Sequence, residues 1–258
     1  MRLGALLACA GLSACVGCPP AEVAEPQPKT AEAPSQPITE LKPVSKARLD
    51  EGFREALSDQ WVVWRHQVDP SKSVVATSPE GLMIDLETYA RAHDEVSVAA
   101  VAWKPALDFL SGPQTITLGL HWLEDSNASY LTAGLAIVPE GASLKGDPRD
   151  LSEVAHVSFV GAGAGANARR EVLVQRRGQE IARDTEGWPE KGKEGRQLSK
   201  VTLQLVVTDQ MIRVEESGRE PVSIPSSIGF ARGRLVIFVA SHSNSMRRAV
   251  RFTRLRVD

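Results

Sequence analysis

The stretch Thr115-Ile116-Thr117-Leu118-Gly119-Leu120-His121-Trp122 sets Ile116, Leu118, Leu120 and Trp122 against Thr115, Thr117, Gly119 and His121. Such alternation puts one set on each side of a β-strand and reads as one dry and one polar face. The same period recurs downstream, where Val201, Leu203, Leu205 and Val207 alternate with polar residues. A turn at Thr208-Asp209-Gln210 then leads back through Ile212 and Val214, and a second at Ser217-Gly218-Arg219 leads to Val222 and Ile224. Further strands are expected at Val74 to Thr77, Leu82 to Leu86, Val96 to Val101, Leu131 to Val138, His156 to Val160, Glu171 to Gln175, Leu235 to Ala240 and Val250 to Val257. Many short strands parted by Gly, Pro, Asp and Ser turns specify an all-β sandwich or barrel. A single short peripheral helix is expected near Leu49, Phe53 and Leu57, which recur four apart. In the last strand, Arg247 to Arg256 interleave with Val250, Phe252, Leu255 and Val257, and the phase changes between Phe252 and Leu255. That change implies a bulge, and the interleaving makes the arginines the solvated side of a strand.

The beginning of the chain reads differently. Met1-Arg2 precedes an apolar run from Leu3 to Leu12, about half the roughly 20 residues that a membrane-spanning helix needs. It reads as the core of a secretory signal. Leu12-Ser13-Ala14-Cys15 then resembles the lipobox of bacterial lipoproteins. The resemblance implies cleavage before Cys15 and lipidation of that cysteine, with two or three acyl chains making the anchor durable. Cys18 is a poorer fit, because Cys15 stands where its lipobox would need a branched apolar residue. Val16 follows the anchor where family members kept on the inner membrane often carry Asp, so the implied address is the cell envelope at the outer membrane.

Residues 1–14 are thus expected to be a signal peptide. Residues 15–45 form a lipidated tether rich in Pro, Ala and Glu, too poor in apolar residues to offset the entropy of ordering. Residues 46–258 make the folded domain. All three cysteines (Cys9, Cys15 and Cys18) precede it, so no internal disulfide braces it and its stability must come from packing. A formal net charge of -2 argues against a nucleic-acid partner.

The stretch Val201 to Ile224, with Gly233 to Ser243 and Val250 to Val257, is similar to the closing strands of the concanavalin A-like lectin/glucanase superfamily in its laminin-G-like form. Trp61 to Trp64 and Gly81 to Ile84 correspond to its opening strands. The resemblance implies a two-sheet jelly roll whose last strand joins the first, with a concave face on which relatives bind glycans or proteins and some hydrolyse glycosides. Glucanases of that superfamily carry Glu-x-Asp-x-x-Glu on one strand, since alternate residues bring two carboxylates together on one face. No such string occurs here. Asp85 and Glu87, sharing a strand face, are the nearest approach and the candidate catalytic pair. Relatives of the 3-keto-glycoside hydrolase group share the general fold, but their catalytic residues do not align with this chain.

Other constellations are less specific. Gly161 to Asn167 imitates a phosphate loop but runs into the strand-like Glu171 to Gln175, not a helix, so it reads as an inter-strand loop. The five histidines lack metal-ligand spacing, and Asp147, Asp150 and Glu153 lack a calcium-loop pattern, so no metal and no cofactor are expected. Trp188, in a charged Gly/Pro-rich loop, is a candidate stacking platform. Thr117 and His121, on the polar side of their strand, and His242 and Asn244, at the end of another, complete the candidate ligand-binding set.

These features lead to the expectation of an anchored module that binds a glycan, an envelope polymer or a protein without altering it. The alternatives are a surface glycoside-processing enzyme of the glucanase or 3-keto-glycoside hydrolase type and a structural or assembly lipoprotein. Converging carboxylates would distinguish the enzyme.

Overall fold

Sixteen strands stack face to face as two antiparallel sheets in a computed structural model that describes residues 48–68, 71, 73–87, 96–123, 131–160, 169–187, 200–217, 219–225, 228–241 and 247–258. Sheet A is ordered β14 (Val222–Pro225), β13 (Met211–Glu216), β12 (Lys200–Val207), β7 (Gln114–Trp122), β16 (Arg247–Val257), β4 (Gly81–Glu87) and β3 (Ser73–Ser78). Sheet B is ordered β11 (Gln179–Gly187), β10 (Arg169–Arg176), β9 (Val154–Val160), β8 (Leu131–Pro139), β15 (Arg232–Ser241), β5 (Ser97–Trp103) and β2 (Trp61–His66). Two short strands lie off these paths: β1 (Leu49–Glu51) pairs with β16, and β6 (Leu107–Asp108) pairs with β15. The expected two-sheet jelly roll is observed, and Ser45–Asp258 is one compact unit.

The period-two reading fixes which residues enter the sandwich. Ile116, Leu118, Leu120 and Trp122 of β7 meet Leu235, Ile237 and Val239 of β15 and Ala155, Val157 and Phe159 of β9 in one buried cluster. The phase change in the last strand is a register shift between Phe252 and Arg254 where β16 runs beside β7. It lets Phe252 and Leu255 both point inward. On the far side of β16, β4 pairs with residues 247–252 and β1 with residues 255–257, so the first strand joins the last as the resemblance implied.

The expected helix around Leu49, Phe53 and Leu57 is not there. Leu49 belongs to β1, in register with Val257, and Phe53 sits at a φ of 57° with its amide donating to the Glu51 carboxylate at 2.7 Å. Phe53 is fully buried and meets Trp61 edge-on, with ring centroids 5.5 Å apart. The four-residue spacing came from three separate core contacts, and the positive φ at Phe53 interrupts any helix.

At the margin where β11 and β14 meet, a buried ion cluster ties the sheets together. Arg170 of β10, wholly buried, lies 3.3 Å from Glu216 of β13 and 3.5 Å from Asp184 of β11. The β10–β11 hairpin turns on Arg177 and Gly178, both at positive φ, the backbone that a two-residue hairpin of this twist requires.

Candidate functional site

The outer faces of the two sheets differ. On sheet A, Thr115, Thr117 and His121 of β7 lie beside Arg251 and Arg256 of β16, and the arginines are matched by acids. Arg254 binds Asp50 through two nitrogens at 2.8 and 2.9 Å, Arg256 holds Asp258, and Arg251 pairs with Glu80. This is a solvated, charge-balanced surface.

The outer face of sheet B is apolar across β5, β15 and β8 and turns polar toward β10 and β11. Val98, Ala100 and Ala102 of β5, Ala136 and Val138 of β8, Val154 of β9, and Val236, Phe238 and Ala240 of β15 form a second buried cluster on it. Their cover is the connection from β8 to β9, residues 140–153, which folds back as a strap. Ala142, Leu144 and Leu151 of the strap pack on the cluster, and the Arg149 guanidinium lies 5.7 Å from the centre of the Phe238 ring. The strap is fastened across the sheet: Trp64 Nε1 of β2 donates to Gly146 O at 3.2 Å, Arg234 Nη2 of β15 to Ala142 O at 2.8 Å, and Gln175 Nε2 of β10 to Leu151 O at 3.3 Å. Gly146 takes a φ of 82°, which a side chain would strain, and this bend brings it against His66 at the end of β2.

Beside this bend opens a cavity of about 410 Å³ lined by His66, Gln67, Val96, Lys145, Gly146, Asp147, Asp150 and Leu151. The lining thus includes two aspartates, a histidine and a lysine. Asp147 caps the 3-10 turn Pro148–Asp150, taking the Arg149 amide at 2.9 Å on Oδ1 and Arg149 Nη2 at 2.6 Å on Oδ2. Burial alone would raise its pKa, but the hydrogen bonds and charge of Arg149 hold the carboxyl below its ordinary range, so it stays ionised. Asp150 and His66 complete the polar wall.

Under the strap a second polar group is sealed in. His156 and Ser158 alternate on β9, with Ser158 Oγ 3.4 Å from His156 Nδ1, and His156 Nε2 lies 3.9 Å from Glu171 Oε1 on β10. Glu171 in turn takes Arg183 at 2.6 Å. Burial pushes the His156 imidazole down to about 3, Arg149 and Arg183 adding to the effect while Asp147 opposes it. The order hydroxyl, imidazole, carboxylate resembles an activated nucleophile. Ser158 is 0% exposed, however, so its hydroxyl is closed to a substrate.

Of the residues singled out from the sequence, Asp85, Thr117 and His121 lie on the outer side of sheet A, away from this cavity; Glu87 follows Asp85 on β4, in register with Arg247. Trp188, His242, Asn244, Gly161 to Asn167, and the whole signal and tether including Cys15 lie outside the described residues. His66, Asp147 and Asp150 were not paired by sequence reasoning, because His66 is far from the two aspartates along the chain. Among the described residues no group of three His, Cys, Asp or Glu is placed to hold a metal ion.

No protein-family model and no curated protein matches the sequence. Solved structures do match in fold. The catalytic domain of an endo-1,3-β-glucanase (laminarinase) from Thermotoga petrophila superposes with a TM-score of 0.59 at 8% identity, covering 82% of this chain and 96% of that one. The Bacillus licheniformis β-glucanase gives 0.55 at 8% identity, covering 83% and 99%. The Crh5 transglycosylase gives 0.53 at 10% identity, covering 81% and 83%. The chain has the jelly-roll fold of the glycoside hydrolase family 16 glucanases. A shared fold carries no activity by itself. The matches nevertheless correct the expectation of a non-catalytic binding module or structural lipoprotein: these chains of like fold are glucanases and a transglycosylase, which favours the enzymatic alternative.

Proposed function

We propose that this chain is a glycoside-processing enzyme, a hydrolase or transglycosylase, working at the cavity between the strap and the end of β2. The observation that carries the reading is that Asp147, Asp150 and His66 line one cavity of about 410 Å³, within the size range of small-molecule sites, in a fold whose matches include glucanases and a transglycosylase. This reading gives no part to Asp85 and Glu87 of β4, since the cavity wall comes from the strap and the end of β2.

Glycoside cleavage needs a proton delivered to the departing oxygen and a base for the incoming one. In this reading His66 gives a proton to the glycosidic oxygen as the bond from that oxygen to C1 breaks. Asp150 takes a proton from the water whose oxygen forms the new bond to C1. One water is consumed, two hydroxyls appear, and solvent returns the proton from Asp150 to His66. A sugar hydroxyl in place of water makes the same step a transfer. Asp147, held ionised by Arg149, is a positioning residue that fixes the turn carrying Asp150.

The substrate in this proposal is a glycan or envelope polymer, met by an enzyme held on the cell envelope through Cys15. Support for the anchor is Leu12-Ser13-Ala14-Cys15 and the tether after it. Its test is fatty-acid labelling in a bacterial host: Cys15→Ala should abolish incorporation, and undiminished labelling would remove the anchor from the account. The activity itself is tested by incubating the protein with laminarin, mixed-linkage β-glucan, galactan and chitin fragments and measuring new reducing ends. Release from at least one is expected, and silence across the panel would overturn the reading.

A further inference from the structure

The strap covers sheet B without joining it. No strand runs through residues 140–153, which are held down by Ala142, Leu144 and Leu151 on the apolar cluster, by Arg149 over Phe238, and by hydrogen bonds from Trp64, Arg234, Gln175 and the Gly178 amide. A segment of this kind can leave a sheet without breaking its ladders, at a smaller cost than unfolding the sandwich.

Where the strap's 3-10 turn packs on β9 stands His156, 3% exposed, among groups whose charges are already engaged. The turn brings Asp147, bound to Arg149 at 2.6 Å. β10 brings Glu171, 3.9 Å from Nε2, which Arg183 of β11 holds at 2.6 Å and Arg169 approaches at 4.0 Å. On β9 itself the Ser158 hydroxyl lies 3.4 Å from Nδ1, and β8 faces His156 with the uncharged Ala136. A proton added in place would make a buried cation close to two guanidiniums. We propose that acid releases the strap: when residues 147–151 lift from β9, His156 takes a proton and holds the turn open, so the cavity loses the wall given by Lys145 to Leu151 while both sheets stay folded. The sign follows from linkage. Burial, with Arg149 and Arg183 adding to it and Asp147 opposing, holds the covered imidazole down to about 3, whereas the uncovered ring binds its proton near 6.5. The lifted state therefore carries the extra proton, and lifting becomes about tenfold more favourable for each pH unit below 6.5. Burial would raise the Asp147 carboxyl but Arg149 keeps it below its ordinary range, so its own protonation belongs below about pH 4, after His156 has charged. The cavity's use as an active site rests on the reading above; release of the strap does not.

The test is amide hydrogen exchange of the full chain, followed by mass spectrometry from pH 7.5 to 4.5 without substrate, each rate divided by the unprotected rate at the same pH. Strap amides of residues 142–151 should lose protection about tenfold per unit below pH 6.5, and β7 amides should stay at least tenfold better protected throughout. In His156→Gln, or in His156→Asn if the first variant does not fold, strap protection should be level across the range. Leu151→Ala should lower strap protection by a constant factor at every pH and keep the parent's slope. Strap protection independent of pH in the parent, a slope that survives in the His156 variant, or strap and β7 amides exchanging together would each overturn the proposal and leave the enzymatic reading as it stands.

Discussion

The two sheets are built from the same kind of strand but finished differently on the outside. Sheet A ends in threonines and arginines whose charges are met by Asp50, Asp258 and Glu80; sheet B ends, across β5, β15 and β8, in alanine, valine and phenylalanine, and a strap of its own chain roofs that part. The contrast teaches where a site can form. The charge-balanced face carries a cavity of about 270 Å³ at its β3 margin, lined by Thr77, Glu80, Met83 and Arg251, whereas the covered face carries a larger one, of about 410 Å³, where the margin of its cover brings His66, Asp147 and Asp150 to one wall.

The contrast breaks most visibly if the apolar face of sheet B is hollowed. Phe238→Ala should cost about 3–5 kcal/mol in urea unfolding, since the ring is wholly buried and carries Arg149. Thr117→Ala on sheet A should stay within about 0.5 kcal/mol. Near-equal effects would mean that the strap is a loose loop.

A titration sharpens the same difference. His156 stays neutral in the fold down to about pH 3, whereas the unfolded chain takes up its proton near 6.5. The unfolded state therefore binds more protons between those values, and stability should fall as pH drops from about 6.5 toward 3, by up to ~1.4 kcal/mol per pH unit from this group. His156→Gln should flatten that slope in denaturant melts taken across the range. An unchanged slope would place the acid sensitivity elsewhere.

How far the sequence carried follows from the same two faces. Strict alternation in β7 and β12 made sheet A legible, including its polar side and the slip after Phe252. Sheet B was legible as strands but not as faces, because β5 is buried along its whole length and most of β8 with it; a continuous apolar run has no marked side. That very continuity was the overlooked signal. Strands dry on both sides require a cover, and Ala142, Leu144 and Leu151 stand in the long connection that could supply one. The cavity was out of reach because Asp147 and Asp150 meet His66 only when the strap crosses back to β2. The helix expected at Leu49 to Leu57 failed for the opposite reason, a real spacing produced by unrelated contacts.

Smaller effects probe the fastenings. Trp64→Phe keeps an aromatic side chain but removes the donor to Gly146 O, so a loss of about 1 kcal/mol is expected, together with faster amide exchange in the strap. Arg254→Ala on sheet A removes an exposed pair with Asp50 and should cost under ~1 kcal/mol at low salt and less at high salt. A larger loss there than at Trp64 would reverse the ranking of the two faces.

The central claim is that chemistry belongs to the strap margin of sheet B and not to the carboxylates of sheet A. The direct measurement is the rate of reducing-end release from the best glycan of the panel by three proteins: the parent, Asp150→Asn, and the double variant Asp85→Asn with Glu87→Gln. Asp150→Asn should lose roughly 10²-fold or more with its unfolding midpoint retained, and the double variant should match the parent within about twofold. The reverse pattern, activity abolished in the double variant and kept in Asp150→Asn, would contradict the account.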